Sequence, residues 1–491
     1  MSRISVNALT GRIPAAHTYD VFSEKARQTS LTGKRFHLIG IGGIGMSGLA
    51  GVLARNDAIV SGSDQSAGAT TRLLQAEGVD IQVGHSADNV NEKTDTVVIS
   101  AAIKSDNPEL VRARQLGCKI YKYAQLLGDL FNRYRGIAVS GTHGKSTTSA
   151  WLTYVLKQAD VDVNYIVGAQ TGQLQNSCGT GDSDIFVAEA CEYDRSFHNL
   201  RPKIACVLNI ESEHLDYYRS EAEIVDAFIE FATGIVHEGV LVANGMDDNA
   251  KQLLEQIRPD ITCLTFGLDP SCDVYARNLI LEDGLYGFDV YLDQRRVGST
   301  RISLPGKHNV LNGLAVFSLA LAAGVPVDAI LELIPAFTGI DRRLMFKGCT
   351  DDIVVVDDYA HHPTEVRASL AALQQRYQPQ RLWVVFQPHQ YSRTRILLEE
   401  FSTSFTLAHE TVVPDIYGVR DSNESKQAIS AQVLVDRLQL KGCRAVHVNG
   451  TAAICEYLQT HVGAGDVVVT MGAGDVWKVA DEYIQRLRVN R

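Results

Sequence analysis

The chain has 491 residues, 45% of them apolar and 21% charged, with a formal net charge of -11 at neutral pH. That length exceeds what one core organises and predicts two to four domains, and the acidic balance speaks against a general nucleic-acid binder without barring a local basic cleft. Nowhere do about 18 apolar residues run together, so no membrane span is expected, and scattered cysteines without a C-x-x-C pair suit reduced thiols in the cytoplasm.

Residues 1–33 read as a polar extension, lacking the apolar stretch of a signal peptide and docked loosely if at all. "FHLIGIG" (36–42) then reads as a buried strand and "MSGLAGVLARN" as a helix. "AIVSGSD" (58–64) is a second strand ending in an acid, and "TVVISAAI" (96–103) a later one. "RGIAVSG" (135–141) opens a new strand, and "STTSAWLTYVLKQA" continues as a helix with Trp151, Leu152, Val155 and Leu156 on one face. "DIFVAEA" (184–190) and "IACVLNI" (204–210) are further strands, and "HNVLNGLAVFSLALAAG" (308–324) is an apolar helix stopped by glycine. "DIVVVDDYAHHPTEVRASLAAL" (352–373) restarts the strand–turn–helix pattern, followed by "RLWVVFQPH" (381–389) and "DVVVTMGAGDVW" (466–477). This βαβ rhythm predicts an α/β protein with parallel sheets in three blocks, 34–135, 136–340 and 341–491.

"AVSGTHGKSTTSAW" (138–151) has the strand, glycine turn and helix of a phosphate loop, although only Thr142 and His143 separate Gly141 from Gly144-Lys145-Ser146. A strand that turns through glycine into a helix aims backbone N–H groups and the helix dipole at an anion. Lys145 adds a mobile charge for β/γ-phosphates, and Ser146, followed by Thr147, a hydroxyl suited to Mg²⁺. A second run, "GIGGIGMSG" (40–48), fits G-x-G-x-x-G through Gly40, Gly42 and Gly45, with Asp64 at the end of the next strand. A dinucleotide would put Asp64 on a ribose hydroxyl, but the same loop cradles the diphosphate of a nucleotide sugar. Taken alone the run admits an NAD-dependent dehydrogenase, which would leave residues 138–151 without a task.

Glu189 ends the strand "IFVAEA", where open α/β sheets place ligands. Asn209 and Glu211 hold the same place on the next strand, followed by His214 and Asp216. Beside a phosphate loop such groups can share a Mg²⁺ with Ser146, since Mg²⁺ keeps waters and needs few protein ligands. In the third block "DRR" (341–343), "DDYAHHPTE" (357–365) and "FQPHQYSRT" (386–394) gather basic side chains. Arg342, Arg343, His361, His362, His389, Arg393 and the following Arg395 suit phosphate and carboxylate recognition.

These motifs, together with "AEACEYDRSF", "NIESEHLDYY", "GKHNVLN", "DIYGVRD" and "MGAGD", stand in an order that resembles the Mur ligases from about Lys34 to the C terminus. The resemblance implies a Rossmann-like uridine-nucleotide domain, a central P-loop ATPase α/β domain and a C-terminal Rossmann-like amino-acid-binding domain. The implied reaction joins L-alanine to the lactyl carboxyl of UDP-N-acetylmuramate through an acyl phosphate, with ATP cleaved to ADP and phosphate. It would serve peptidoglycan precursor synthesis in the cytoplasm, in a monomer or homodimer that uses Mg²⁺. By resemblance Ser146, Glu189 and His214 hold the Mg²⁺, and Gly141 through Thr147 with Arg342 meet the ATP phosphates. His308, Asn309 and Asn312 match the adenine side and Asp358 the ribose. Gly42, Gly43, Gly45, Met46, Ser47 and Asp64 match the uridine-nucleotide loop, and His362, His389 and Arg393 the incoming amino acid and muramyl group.

Several positions depart from the family's pattern. Ser146 stands where Thr is commoner, Glu213 replaces an Asp, and Gln390 fills a place often held by Arg. No Lys lies between Lys203 and Lys251, so a carbamylated Lys, and with it support for a second Mg²⁺, is not expected. Cys191, beside Glu189, reads as a buried small residue. The alternative within the fold, a ligase attaching a recycled peptide to UDP-muramate, is disfavoured by the short interval between "EYDRSF" and "NIESEHLD" and by the intact "GIGGIGMSG".

Overall fold

Three β-sheets covered by helices follow one another along the chain. The computed structural model describes residues 31–174, 176–214, 217–419 and 421–489, so the expected N-terminal extension lies outside the described residues up to residue 30, as does Asp216.

The first sheet contains β1 (Arg35–Ile39), β2 (Ile59–Asp64), β3 (Asp80–Val83), β4 (Thr96–Ile99) and β5 (Lys119–Lys122), all parallel in the order β3-β2-β1-β4-β5. Its chain leaves β1 first towards β2 and later towards β4. The split opens a crevice at the C-terminal end of β1, where ligands bind in such sheets. There the loop 40–43 leads into helix α1 (Ile44–Arg55), whose start has no side-chain cap and leaves its N–H groups directed outward. The expected strand 96–103 stops at Ile99, because Ser100 and Ile103 turn the chain back through Ser100 N to Ile39 O (3.2 Å) and Ile103 N to Ser100 O (3.2 Å).

The second sheet holds β6 (Arg135–Ser140), β7 (Asn164–Ile166), β8 (Cys178–Gly179), β9 (Ile185–Glu189), β10 (Ile204–Val207), β11 (Val240–Asn244), β12 (Thr262–Gly267), β13 (Val274–Glu282), β14 (Leu285–Leu292) and β15 (Arg295–Arg301). β6 lies between β9 and β10, parallel to both, so the turn after β6 and the ends of both neighbours meet at one edge. Helix α2 (Lys145–Gln158) follows β6, and helix α3 (Lys307–Ala322) lies beside it, close enough that a Cβ on Gly313 would come within 3.3 Å of the Trp151 ring. α3 is apolar on nearly every side, as a helix enclosed by other elements must be, and Gly324 ends it at φ +98°. The face foreseen on α2 is fully buried: Trp151, Leu152, Val155 and Leu156 are inaccessible, and Trp151 stacks on Phe337 at 5.4 Å.

Residues 274–301, unassigned from sequence, form the antiparallel ribbon β13–β14–β15. Its turns, Asp283-Gly284 (φ 49°, 71°) and Asp293-Gln294 (φ 47°, 65°), keep both central residues at positive φ, the geometry that continues the right-handed strand twist. The Asp-Gly dipeptide before the alternating "LYGFDVYL" was the available signal.

The third sheet runs β16-β17-β21-β18-β19-β20, from β16 (Met345–Thr350), β17 (Ile353–Asp358), β18 (Leu382–Phe386), β19 (Glu410–Val413), β20 (Ala445–His447) and β21 (Val467–Met471). Only β16 is antiparallel to its neighbour. Helix α4 (Pro363–Tyr377) follows β17. The first and second sheets share an apolar core across their boundary, where Phe131 meets Phe186 edge-on at 5.8 Å. Each of these buried rings contributes roughly 1.5–3 kcal/mol relative to exposure.

Candidate active site

The turn after β6 bends through Gly141 and Gly144 into α2. Gly144 has φ +84°, and a Cβ there would stand 2.7 Å from Asn312 Oδ1. Only glycine takes that conformation without strain and lets α3 approach so closely. The loop is braced by the end of β10: Thr142 N donates to Asn209 O (3.0 Å), His143 N to Asn209 Oδ1 (2.8 Å), and Glu211 N to Thr142 Oγ1 (2.8 Å). Ser146 Oγ donates to Glu189 Oε2 at 2.9 Å, and Gly168 N reaches the same oxygen at 2.9 Å.

Lys145 is held among three acceptors, Gly141 O (2.5 Å), Thr142 O (3.0 Å) and Glu192 Oε1 (3.0 Å). Burial opposes its charge, but Glu192 outweighs that and raises its pKa. Glu192 is itself buried, and burial disfavours its charge too. Lys145 and then His214, whose Nε2 lies 3.4 Å from Glu192 Oε1, nevertheless hold it below the usual carboxylate range. Sequence reasoning missed Glu192, although it stands in the quoted "AEACEYDRSF". Cys191, read as buried, is exposed, although Ala190 and Glu192 on either side of it are buried.

Ser146, Glu189 and His214 offer hydroxyl, carboxylate and imidazole donors on the phosphate-loop side. His214 sits at φ +54°, a strained value for a non-glycine residue, and its Nδ1 is buried without a hydrogen-bond partner. The unpaired ring nitrogen of His214 and the Ser146–Glu189 pair are the donor types that a hard divalent cation takes. Another trio, His143, Glu211 and His362, has ligand atoms all within 4.8 Å of one another. These groups are already engaged: His362 Nδ1 accepts from Thr364 N (3.3 Å) and caps α4, and Glu211 Oε2 accepts from Thr364 Oγ1 (2.8 Å). They form a hydrogen-bonded seam between the second and third domains.

His143 completes that seam, 3.6 Å from Glu211 Oε2 and 3.3 Å from Glu365 Oε1. Burial disfavours its charge, yet Glu211 and Glu365 push its pKa up to about 9. Glu365, another residue sequence reasoning missed, also accepts from Arg343 (3.0 Å) and from His361 N (3.0 Å). Further along, Arg393 Nε donates to Glu213 Oε1 at 3.1 Å, and both side chains are buried. Burial raises the Glu213 pKa, but the Arg393 guanidinium overrides it and keeps the carboxylate ionised far into acid. The longer Glu213 thus finds a partner across the domain boundary. His389 stands next to this pair, 3.1 Å from Arg393 and stacked on Tyr417 at 5.8 Å. Gln390 is buried at φ +69° and turned to Val419 O (3.4 Å), and Arg395 is exposed.

Between the second and third domains lies a cavity of about 710 Å³, lined among others by Gly144, Ser146, Thr147, Asn309, Arg343 and Asp358. That volume suits a nucleotide. Asn309 and Asn312 are joined at 3.0 Å, and His308 beside them has its pKa lowered to about 4 by burial, which keeps the ring neutral. Asp358 is raised to about 6, also by burial, and its Oδ2 has no hydrogen-bond partner. Arg342, expected at the phosphates, instead donates to Asp357 Oδ2 (3.2 Å) and Gly472 O (2.7 Å). Its neighbour Arg343 lines the cavity. In the first domain Asp64 Oδ2 accepts from Gly42 N at 2.9 Å and braces the glycine loop. Gly45 packs on Tyr123, Ser47 Oγ donates to Ile44 O (2.9 Å), and the Met46 side chain lies in the core, leaving the exposed backbone of Gly43 to face a ligand.

A phosphate loop, a hydroxyl–carboxylate pair beside it and a third domain bordering one nucleotide-sized cavity define a multidomain nucleotide-binding protein. Three family models match in order: Mur ligase family, catalytic domain, at 35–135; Mur ligase middle domain at 139–320; and Mur ligase, glutamate ligase domain, at 342–474. The chain belongs to the Mur ligase family. It is 40% identical over 453 residues to the UDP-N-acetylmuramate–L-alanine ligase of Clostridium botulinum (strain Kyoto / Type A2), covering 92% of this chain and 97% of the relative. The crystal structure of the UDP-N-acetylmuramate–alanine ligase MurC from Thermotoga maritima matches with a TM-score of 0.79 and 27% identity, over 93% of this chain and 100% of that one. A murein peptide ligase from Psychrobacter arcticus shares the fold at TM-score 0.70 and 24% identity, over 93% and 99%.

Proposed function

We propose that the chain joins L-alanine to the lactyl carboxylate of UDP-N-acetylmuramate while ATP is cleaved to ADP and phosphate. One observation carries the reading: the phosphate loop, the Asn309–Asn312 pair and residues of the third domain face a single cavity of about 710 Å³. The names of relatives that align over 92% of this chain supply the choice of acceptor and donor.

A free carboxylate is a poor acyl donor, so it must first gain a leaving group. The lactyl carboxylate attacks the γ-phosphorus, ADP departs, and an acyl phosphate remains. The alanine amine then attacks the acyl carbon, loses its proton, and phosphate leaves. Catalysis of this kind rests on positioning and on neutralising charge. The backbone N–H groups at the start of α2, from Gly144 to Thr147, and the ammonium of Lys145 meet the phosphate oxygens. Asn309, Asn312 and neutral His308 frame the adenine, Asp358 takes a ribose hydroxyl, and Arg343 supplies the phosphate contact expected of Arg342. Gly42, Gly43 and Gly45 with Asp64 receive the uridine diphosphate, and His362, His389 and Arg393 orient the amino acid and muramyl group. Mg²⁺ bound by Ser146, Glu189 and His214 would supply further charge neutralisation at the phosphates.

The proposed reaction on soluble substrates would run in the cytoplasm. No described helix is long and apolar enough to cross a membrane. Phosphate release should require UDP-N-acetylmuramate, ATP and L-alanine together. Faster release with a tripeptide in place of L-alanine would transfer the proposal to the recycling reaction, and no release with either would end it.

A further inference from the structure

Lys145 has three N–H donors, and in this structure all three are used inside the protein, on Gly141 O, Thr142 O and Glu192. A phosphate can therefore gain this ammonium only if one of the three lets go. The two carbonyls belong to the loop and move with it; Glu192 does not. Its side chain is 2% exposed, and both oxygens lie 3.0 Å from Nζ, but Oε2 receives no directed hydrogen bond. Glu192 thus occupies Lys145 as a phosphate would, with one oxygen left over.

The same carboxylate borders the candidate cation site. Glu189, three residues earlier, takes the Ser146 hydroxyl at 2.9 Å, and His214 Nε2 is 3.4 Å from Glu192 Oε1. A divalent charge beside Ser146, Glu189 and His214 attracts the carboxylate that now neutralises Lys145, and any movement towards it loosens the Lys145 pair.

We propose that Glu192 is a positioning residue that couples the two ligands: without the cation it holds Lys145 away from the nucleotide, and the bound cation draws it off and frees Lys145 for the phosphates. This rests on the ATP-dependent reading above. Coupling of this kind is reciprocal, so nucleotide strengthens cation binding by the same factor.

ADP binding by calorimetry to the full chain, in Mg²⁺ and in EDTA, tests it. Wild type should lose at least about 10-fold in ADP affinity when the metal is removed, the size of an ordinary coupling free energy. Glu192→Gln should bind metal-free ADP about 10-fold more tightly than wild type and show a smaller metal effect, and Glu192→Asp should keep the wild-type pattern. Structural damage weakens binding, so a gain isolates the counter-ion role. Metal-free affinity in Glu192→Gln equal to or below wild type overturns the proposal. Should that variant fail to fold in a thermal melt, acetylation of Lys145 followed by mass spectrometry in wild type replaces it. Mg²⁺ alone should raise labelling of Lys145 several-fold, and unchanged labelling overturns the proposal. If wild type binds no ADP even with Mg²⁺, the ATP-dependent reading itself fails.

Discussion

The ammonium of Lys145 has no equivalent near it in the phosphate loop, and Lys145→Ala should lower ADP formation by at least about 10²-fold, the loss typical of removing a charge-stabilising donor. UDP-N-acetylmuramate should still bind the first domain, measured by calorimetry; full turnover in this variant would contradict the assigned role. A second residue concerns stability. Glu109 is fully buried, accepts hydrogen bonds from Ser63 and Asn89, and lies 3.6 Å from His37. Burial disfavours its charge, but His37 and these donors hold its pKa down at about 2, against an ordinary 4.5. The stabilisation is therefore complete above pH 4.5 and is lost as pH falls towards 2. Glu109→Gln should cost about 1–3 kcal/mol at neutral pH by breaking this network, and should flatten the acid limb of a circular-dichroism titration. At this scale Lys145, Ser146 and Glu189 were legible because they sit on a recognisable strand–turn–helix. Glu192 and Glu365 were not, since what makes them special is partners far away in sequence. Arg342 and Arg343 are chemically identical neighbours, and what separates them is their partners, Asp357 and Gly472 for one and Glu365 with the cavity for the other.

Among the elements, the junction of β6 and α2 carries the tightest constraint. Gly144→Ala forces a side chain into φ +84° and against Asn312 Oδ1, at a cost of about 1–2 kcal/mol for the conformation alone. ADP affinity should drop by about 10-fold or more, while the melting of the first domain stays unchanged. Buried parallel strands such as "IFVAE" were readable as apolar runs, and α2 and α3 through their length and stop signals. The ribbon β13–β15 escaped because, although β14 alternates, β13 does not: it is buried only over Val274–Ala276.

For the whole molecule, the seam between the second and third domains rests on a few charged contacts, and Glu213–Arg393 is the most buried of them. Glu213→Ala leaves a guanidinium without its counter-charge, which costs about 3–5 kcal/mol in a buried setting. Small-angle scattering of this variant should show a larger radius of gyration than wild type, and an unchanged value would deny the pair a part in docking. The three blocks were visible in the βαβ rhythm, but the seam was not, because no local pattern records that residues near 143, 213, 365 and 393 meet.

On the far side of the cavity, the Asp283-Gly284 turn rests on α4. A Cβ on Gly284 would stand 2.2 Å from Arg376 Cα, and Tyr286 OH reaches Gln375 Oε1 at 3.3 Å. The ribbon on one flank and Glu213–Arg393 on the other tie the second and third domains together across the cavity, so parting them to release nucleotide moves whole domains through solvent. Friction from that solvent then enters the rate: kcat should decline as sucrose raises the viscosity of the medium, while a polymer that thickens the bulk without slowing local motion leaves it unchanged.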